Sequence, residues 1–130
     1  NIEKLPYAKN YQDLLAYTKS IYLAELVFKE TKSFPKEELY SLTDQLRRSS
    51  RSVGAQIAEA WGKRMYIRHF ISKLTDASTE LNETEHWLDV AHKCEYISES
   101  TRGELIYLCN EINRLVNGMI VKTNYFCEND

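Results

Sequence analysis

Two carboxylate–histidine pairs stand out in this sequence: Glu83 with His86, and Asp89 with His92. Residues three apart share one side of a helix, and this is the spacing at which di-iron bundles hold metal. Such a site needs the pair on two different helices, plus a carboxylate from each of the other two. Here both pairs fall within one helical segment, so the reading is a solvated polar face, with no metal and no other cofactor. Ser49, Ser50 and Ser52 could supply a hydroxyl nucleophile, but no histidine lies near them in sequence to act as the base that such chemistry requires. The chain is therefore expected not to be an enzyme.

A third group is basic: Arg47, Arg48, Arg51, Lys63, Arg64, Arg68 and Lys73. Guanidinium groups suit phosphate because they stay charged and bind it bidentately. From Arg47 to Lys73 the only acid is Glu59, so this stretch carries a net +6 while the remainder carries −8. Charge asymmetry of that kind marks an electrostatic surface, although solvated helix faces produce it too. Some of these arginines can instead pair with Glu59, Glu80 or Glu83, within or between subunits, and so be structural. Lys63, Arg64 and Arg68 sit at a helix end and the turn after it, which makes them the better phosphate contacts, with Arg47, Arg48 and Arg51 in support.

The elements that must carry these residues are helical. With 43% hydrophobic and 28% charged residues, 130 residues can bury one core and form a single domain over 1–130. Four glycines and two prolines leave room for long elements and short connections. The spacing predicts helices at roughly 11–31, 41–61, 66–93 and 101–125. Leu14, Ile21 and Phe28 recur every seven residues in the first, flanked by Leu15, Tyr22 and Leu26. The second carries Leu42, Leu46, Val53, Ile57 and Trp61, starts at a capping pattern on Ser41, and closes at Gly62, the residue expected in the left-handed turn. The third shows Tyr66, Phe70, Leu74, Ala77, Leu81, Thr84, Leu88 and Ala91. The fourth opens near Ser100 or Thr101, where Thr101 to Glu104 forms another capping pattern, and then shows Leu105, Leu108, Cys109, Ile112, Leu115, Val116, Met119 and Ile120. Such helices pack most simply as an all-α, antiparallel up-down-up-down bundle. Ile106 and Tyr107 lie outside the fourth stripe, and the surplus suits contact with another subunit.

Three widely spaced cysteines without a CxxC pair suit reduced thiols in a cytoplasm. No basic-then-apolar leader opens the chain and no run approaches the roughly eighteen apolar residues of a membrane span, so the expectation is a soluble, cytoplasmic protein with no membrane partner.

In the second helix Ser50, Gly54, Ala58 and Gly62 sit four apart, a small-residue stripe that lets a neighbouring backbone come close. Helix packing is the favoured reading, and a ligand cleft the other. Leu46-Arg47-Arg48, Ser52-Val53, Ile57-Ala58-Glu59 and Gly62-Lys63-Arg64 together resemble the four-helix-bundle family named for proteins encoded in ribosomal-RNA intervening sequences. Phe34-Pro35-Lys36-Glu37-Glu38 with Tyr40 to Thr43 is similar to that family's first connection. Ala77, Glu80, Glu83-Thr84 and Trp87-Leu88 are similar to its third helix. Gly54 stands where the family commonly has proline, Gln56 where asparagine is usual and Ala60 where glycine is usual.

The resemblance implies a bundle that assembles into a ring, typically a homopentamer. It implies kinship with the accessory variability determinant of diversity-generating retroelements, which works with a reverse transcriptase and RNA. On that basis the expected role is a non-enzymatic oligomeric scaffold or adaptor, docking RNA or a nucleic-acid-processing protein through its basic residues. Gly54, Ala58, Glu59, Gly62 and Trp87 are then its structural and interface positions. The alternative is an oligomeric protein-binding module whose arginines are all structural.

Overall fold

The computed structural model describes residues 8–127. A 3-10 turn at Tyr11–Asp13 leads into α1 (Leu15–Thr31), and a second at Lys36–Glu38 precedes α2 (Leu42–Gly62). Then come α3 (Ile67–Lys93), α4 (Glu99–Val121) and a last turn of helix, α5 (Thr123–Phe126). The described residues contain no strand. Each long helix packs on its neighbours in sequence and α1 closes against α4. The short connections at 32–41, 63–66 and 94–98 force successive helices to run in opposite directions. None of these helices is long and apolar enough to cross a membrane.

The core is built where the periodicity places it in three of the four helices. Leu46, Val53 and Ile57 of α2, Phe70, Leu74, Leu81 and Leu88 of α3, and Ile112 and Val116 of α4 are fully buried. Each such side chain contributes about 1.5–3 kcal/mol on leaving water. Trp61, Leu115 and Ile120 are only half-buried and Tyr66 is exposed, at the edges of their stripes. In α1 the expected register is wrong. The buried residues are Ala16, Ser20, Leu23, Val27 and Thr31. Leu15, Ile21, Tyr22 and Phe28 face outward, and of the heptad only Leu14, just before the helix, is buried. Leu23 and Val27 fill part of this inner face, and small Ser20 stands opposite Gly54, where α2 approaches closely. A Cβ added at Gly54 would already lie 3.6 Å from Ser20 Cβ and from the Tyr17 ring.

The first helix starts at Leu15 rather than near residue 11, since Asn10 caps the preceding 3-10 turn, with Asp13 answering its backbone amide. Ser41 makes no capping bond; instead Glu38 Oε1 accepts the Leu42 amide at 3.3 Å, and Glu38 Oε2 accepts the Tyr96 hydroxyl at 2.9 Å. One carboxylate thus ties the first connection to the third. The fourth helix begins earlier than expected, at Glu99, because Ser98 Oγ accepts the Thr101 amide. Gly62 is not left-handed: α2 ends on Lys63 with φ −105°, and no described glycine has positive φ.

The left-handed residue is Glu95, φ 64°, just past α3. The Tyr96 amide reaches back to Ala91 O and the Glu95 amide to His92 O, each at 2.9 Å, which satisfies the last carbonyls of the helix. An L side chain pays about 1–2 kcal/mol for that conformation. Glu95→Gly is therefore expected to raise stability by roughly 0.5–1 kcal/mol in urea unfolding, net of the extra freedom glycine gives the unfolded chain. An unchanged or lower midpoint would count against this reading of the turn.

The buried hydroxyls of Ser20, Thr31, Ser49, Ser50 and Thr84 are partnered. Ser20 donates to Ala16 O at 2.7 Å and Thr31 to Val27 O at 2.8 Å, while Thr84 Oγ1 lies 2.9 Å from both Ser49 Oγ and Glu80 O, joining α2 to α3. Ser49 and Ser50 are both buried, with Ser49 Oγ donating to Leu46 O and Ser50 Oγ to Arg47 O. Cys109 and Cys127 are buried, Cys94 is exposed and all three are free; burial pushes the Cys109 thiol up to about 12.

Candidate functional site

The basic residues do not form one patch. Arg47 and Arg51 project from the α1 side of α2, near its start, whereas Lys63, Arg64 and Arg68 gather at its far end, about 25 Å away at 1.5 Å per residue. Lys73, early in α3, is tied to Glu59 at 3.0 Å.

At the first site an aromatic ring organises the charge. The Phe28 ring, partly exposed at 37%, has Lys32 Nζ and Arg47 Cζ each 4.8 Å from its centroid and Arg51 Cζ at 5.7 Å. Cations are drawn to the face of such a ring. Arg47 is held further by its Nε, which donates to Thr31 Oγ1 at 2.8 Å. Within the subunit no described carboxylate lies within 4.0 Å of Lys32, Arg47, Arg48 or Arg51, so the expected pairing with Glu59, Glu80 or Glu83 is not made there. The reason is angular. Glu59 points toward α3 and Lys73, while Arg47 and Arg51 point toward α1. Arg48, exposed, reaches Gln45 Oε1 at a long 3.4 Å. Phe28 and Lys32 escape sequence reading as site residues because they lie far from the arginines in the chain.

The outer face of α3 has the opposite sign. Asp76, Glu80 and Glu83 follow one another around it beside half-buried Trp87, whose Nε1 donates to Glu83 Oε2 at 3.1 Å. Burial first, then the neighbouring Glu83, hold the Glu80 carboxyl above its ordinary range; Arg48 opposes them and Asp76 adds to them. The carboxylate–histidine pairs of the sequence do not converge. His86 sits edge-on to Trp87 at 4.6 Å, Asp89 is gripped by Arg102 Nε and Nη2 at 2.8 and 2.7 Å, and His92 Nε2 lies 3.5 Å from Glu99. Among the described residues no three His, Cys, Asp or Glu side chains gather as a metal site.

At the far end of α2 the chain turns through residues 63–66 with Lys63, Met65, Tyr66 and Arg68 exposed. Arg64 is half-buried rather than free. Its guanidinium lies 3.5 Å from the Trp61 ring centroid and its Nε donates to Trp61 O at 2.8 Å, closing a carbonyl at the helix end. Trp61, Gly62, Arg64, Met65 and Phe126 line a cleft of about 290 Å³. Lys63, Arg64 and Arg68 also have no described carboxylate within 4.0 Å. Sequence reasoning finds the cations here but misses the planar partners Trp61 and Phe126, because Phe126 arrives from the opposite end of the chain.

The remaining interface positions divide. Gly54 is buried at the α1 crossing and Ala58 is half-buried beside it, so the first half of the small-residue stripe packs α1. Gly62 is exposed, and a Cβ there would meet nothing within 4 Å, so the stripe does not extend to the helix end.

These features define an all-helical bundle protein whose cations gather at two separate sites, each beside an aromatic ring. Residues 12–118 match the family described as 23S rRNA-intervening sequence protein, and the chain belongs to that family. Its fold is similar to the crystal structure of a protein of unknown function from the S23 ribosomal protein family of Bacteroides thetaiotaomicron. The two are 30% identical, with a TM-score of 0.72 over 82% of this chain and 98% of the other. Among curated proteins, none matches the chain.

Proposed function

We propose that the protein is a non-enzymatic scaffold that assembles from copies of itself and docks RNA at the α2–α3 turn. The observation that carries the assembly is the pair of unlike faces on one subunit. Phe28 with Lys32, Arg47 and Arg51 makes a basic, aromatic face on α1 and α2. Asp76, Glu80, Glu83 and Trp87 make an acidic, aromatic one on α3. Aromatic residues and arginine are what protein interfaces concentrate, and opposite potentials fix their register. Because the two faces are different surfaces, the contact is head-to-tail, and a head-to-tail contact closes into a ring when its rotation permits. A closed ring, by family resemblance a pentamer, is the expected form.

Such a ring would repeat the exposed Lys63 and Arg68 around one end, multiplying a basic patch that one subunit carries only weakly. Membership of a family named for ribosomal RNA supports RNA as the partner. Sedimentation equilibrium of the native chain at low salt should give a whole-number multiple of 15.3 kDa, falling as salt screens the contact. A mass of one subunit at all protein concentrations would rule the scaffold out.

A further inference from the structure

We infer that the cleft between Trp61, Arg64, Met65 and Phe126 receives one unstacked base of a single-stranded RNA, with Lys63 and Arg68 taking the flanking phosphates. This rests on the RNA-docking reading above and narrows it. A phosphate patch alone needs only cations on an open surface. Here Arg64 itself lines a cleft of about 290 Å³ walled by planar and soft apolar groups, and exposed Lys63 precedes it in the same turn, with exposed Arg68 in the first turn of α3.

Phe126 and Arg64 are held in place before any ligand arrives. Phe126 is stacked on the buried Phe70 ring, centroids 6.0 Å apart and planes 29° from parallel, with Tyr125 edge-on at 5.4 Å. Arg64 is fixed through its Nε on Trp61 O, and its guanidinium carbon lies over the indole ring, 3.5 Å from the centroid. That leaves its terminal nitrogens, which have no described partner, for an acceptor on the base edge or for a phosphate. Met65, exposed at 76%, adds a polarizable thioether to the rim. Single-stranded RNA is read in this way, by bases splayed out onto aromatic rings or arginine planes, whereas a duplex keeps its bases stacked and offers shape and phosphate. Stacking of one base contributes about 1–3 kcal/mol, which is roughly 5- to 150-fold in affinity.

The test compares a fluorescein-labelled twelve-residue oligouridine with a twelve-base-pair RNA duplex by anisotropy at low salt. It uses the native protein, Phe126→Leu, Met65→Glu and Lys63→Glu/Arg68→Glu, with each variant's fold checked by thermal unfolding. Phe126→Leu keeps apolar bulk against Phe70 while removing the π-face. It should weaken the single strand about tenfold or more and leave the duplex unchanged, and Met65→Glu should act in the same direction. The double charge reversal should abolish both. The base cleft is overturned, with RNA docking intact, if Phe126→Leu alters neither RNA or both equally while the charge reversal still abolishes binding. If the native protein binds neither RNA, the docking reading falls and the cleft falls with it. The same oligomer in deoxyuridine form, which differs only at the 2′-hydroxyl, should bind no more tightly; stronger binding to it than to RNA would overturn the assignment of RNA as the occupant.

Discussion

Arg47→Glu combined with Arg51→Glu is expected to reduce the assembly to single subunits of 15.3 kDa while leaving each subunit folded. The expectation follows from where the two guanidiniums sit. They lie 4.8 and 5.7 Å from the centroid of a partly exposed phenylalanine, with no described carboxylate in reach, on a chain whose α3 presents Asp76, Glu80 and Glu83 outward. Reversal converts that attraction into like-charge repulsion, which costs an interface several kcal/mol by general experience. Within the subunit the loss is far smaller. Arg51 is exposed, and Arg47 gives up one hydrogen bond to Thr31 and one cation–π contact, about 1–2 kcal/mol together. Thr31 keeps its own bond to Val27 O, so no buried hydroxyl is orphaned. Thermal unfolding measured alongside the mass separates loss of assembly from loss of fold.

Gly54→Leu should be the most damaging single change on the α1–α2 contact, and Gly54→Ala should not be damaging at all. The first added carbon meets Ser20 Cβ and the Tyr17 ring at 3.6 Å, an ordinary contact. Alanine therefore fits, and replacing a mid-helix glycine contributes up to about 1 kcal/mol of stability. Leucine must place three further carbons where Ser20 and Tyr17 already lie. Tyr17 cannot simply swing aside, because it is packed edge-on to Tyr11 at 4.8 Å. Overpacking of this kind costs about 1–3 kcal/mol and more where the backbone must shift, and here it would push α1 off the face that carries Phe28. Urea unfolding should show a higher midpoint for alanine and a much lower one for leucine. Equal midpoints would mean that α1 does not pack where it is placed.

How much of this was legible in the chain depends on what set each feature. The buried faces of α2, α3 and α4 follow from period alone, since Leu46, Val53 and Ile57, or Phe70, Leu74, Leu81 and Leu88, are both the most apolar residues and the innermost. In α1 those two properties part. Ala16, Ser20 and Thr31 go inside, Ser20 opposite Gly54 where α2 approaches closely, and Ile21 and Phe28 lie on the flank. A hydropathy stripe ranks residues by transfer energy and has no knowledge of the neighbour's distance. The capping patterns failed for a related reason. Ser41 had the right type, but Glu38 reached the Leu42 amide from the preceding turn.

The candidate sites were legible only in their charged half. Arg47, Arg51, Lys63 and Arg68 are visible in the sequence as cations, and their separation into two sites follows from helix geometry. Their planar partners were not visible. Phe28 belongs to another helix, and Phe126 meets Trp61 and Arg64 only because α5 folds back over the end of α2. Within the subunit the expected ion pairs to Glu59, Glu80 and Glu83 are not made, since Glu59 faces Lys73 and Glu83 faces Trp87.

The central claim is that copies join through unlike charged faces, and one restoration experiment tests it most directly. Glu80→Lys with Glu83→Lys should, like the arginine reversals, yield single subunits. The variant carrying all four changes exchanges the two faces in sign and should recover the native mass in sedimentation equilibrium. Recovery is the predicted result. A four-fold variant that stays at 15.3 kDa, or double variants that assemble as the native chain does, would contradict the account.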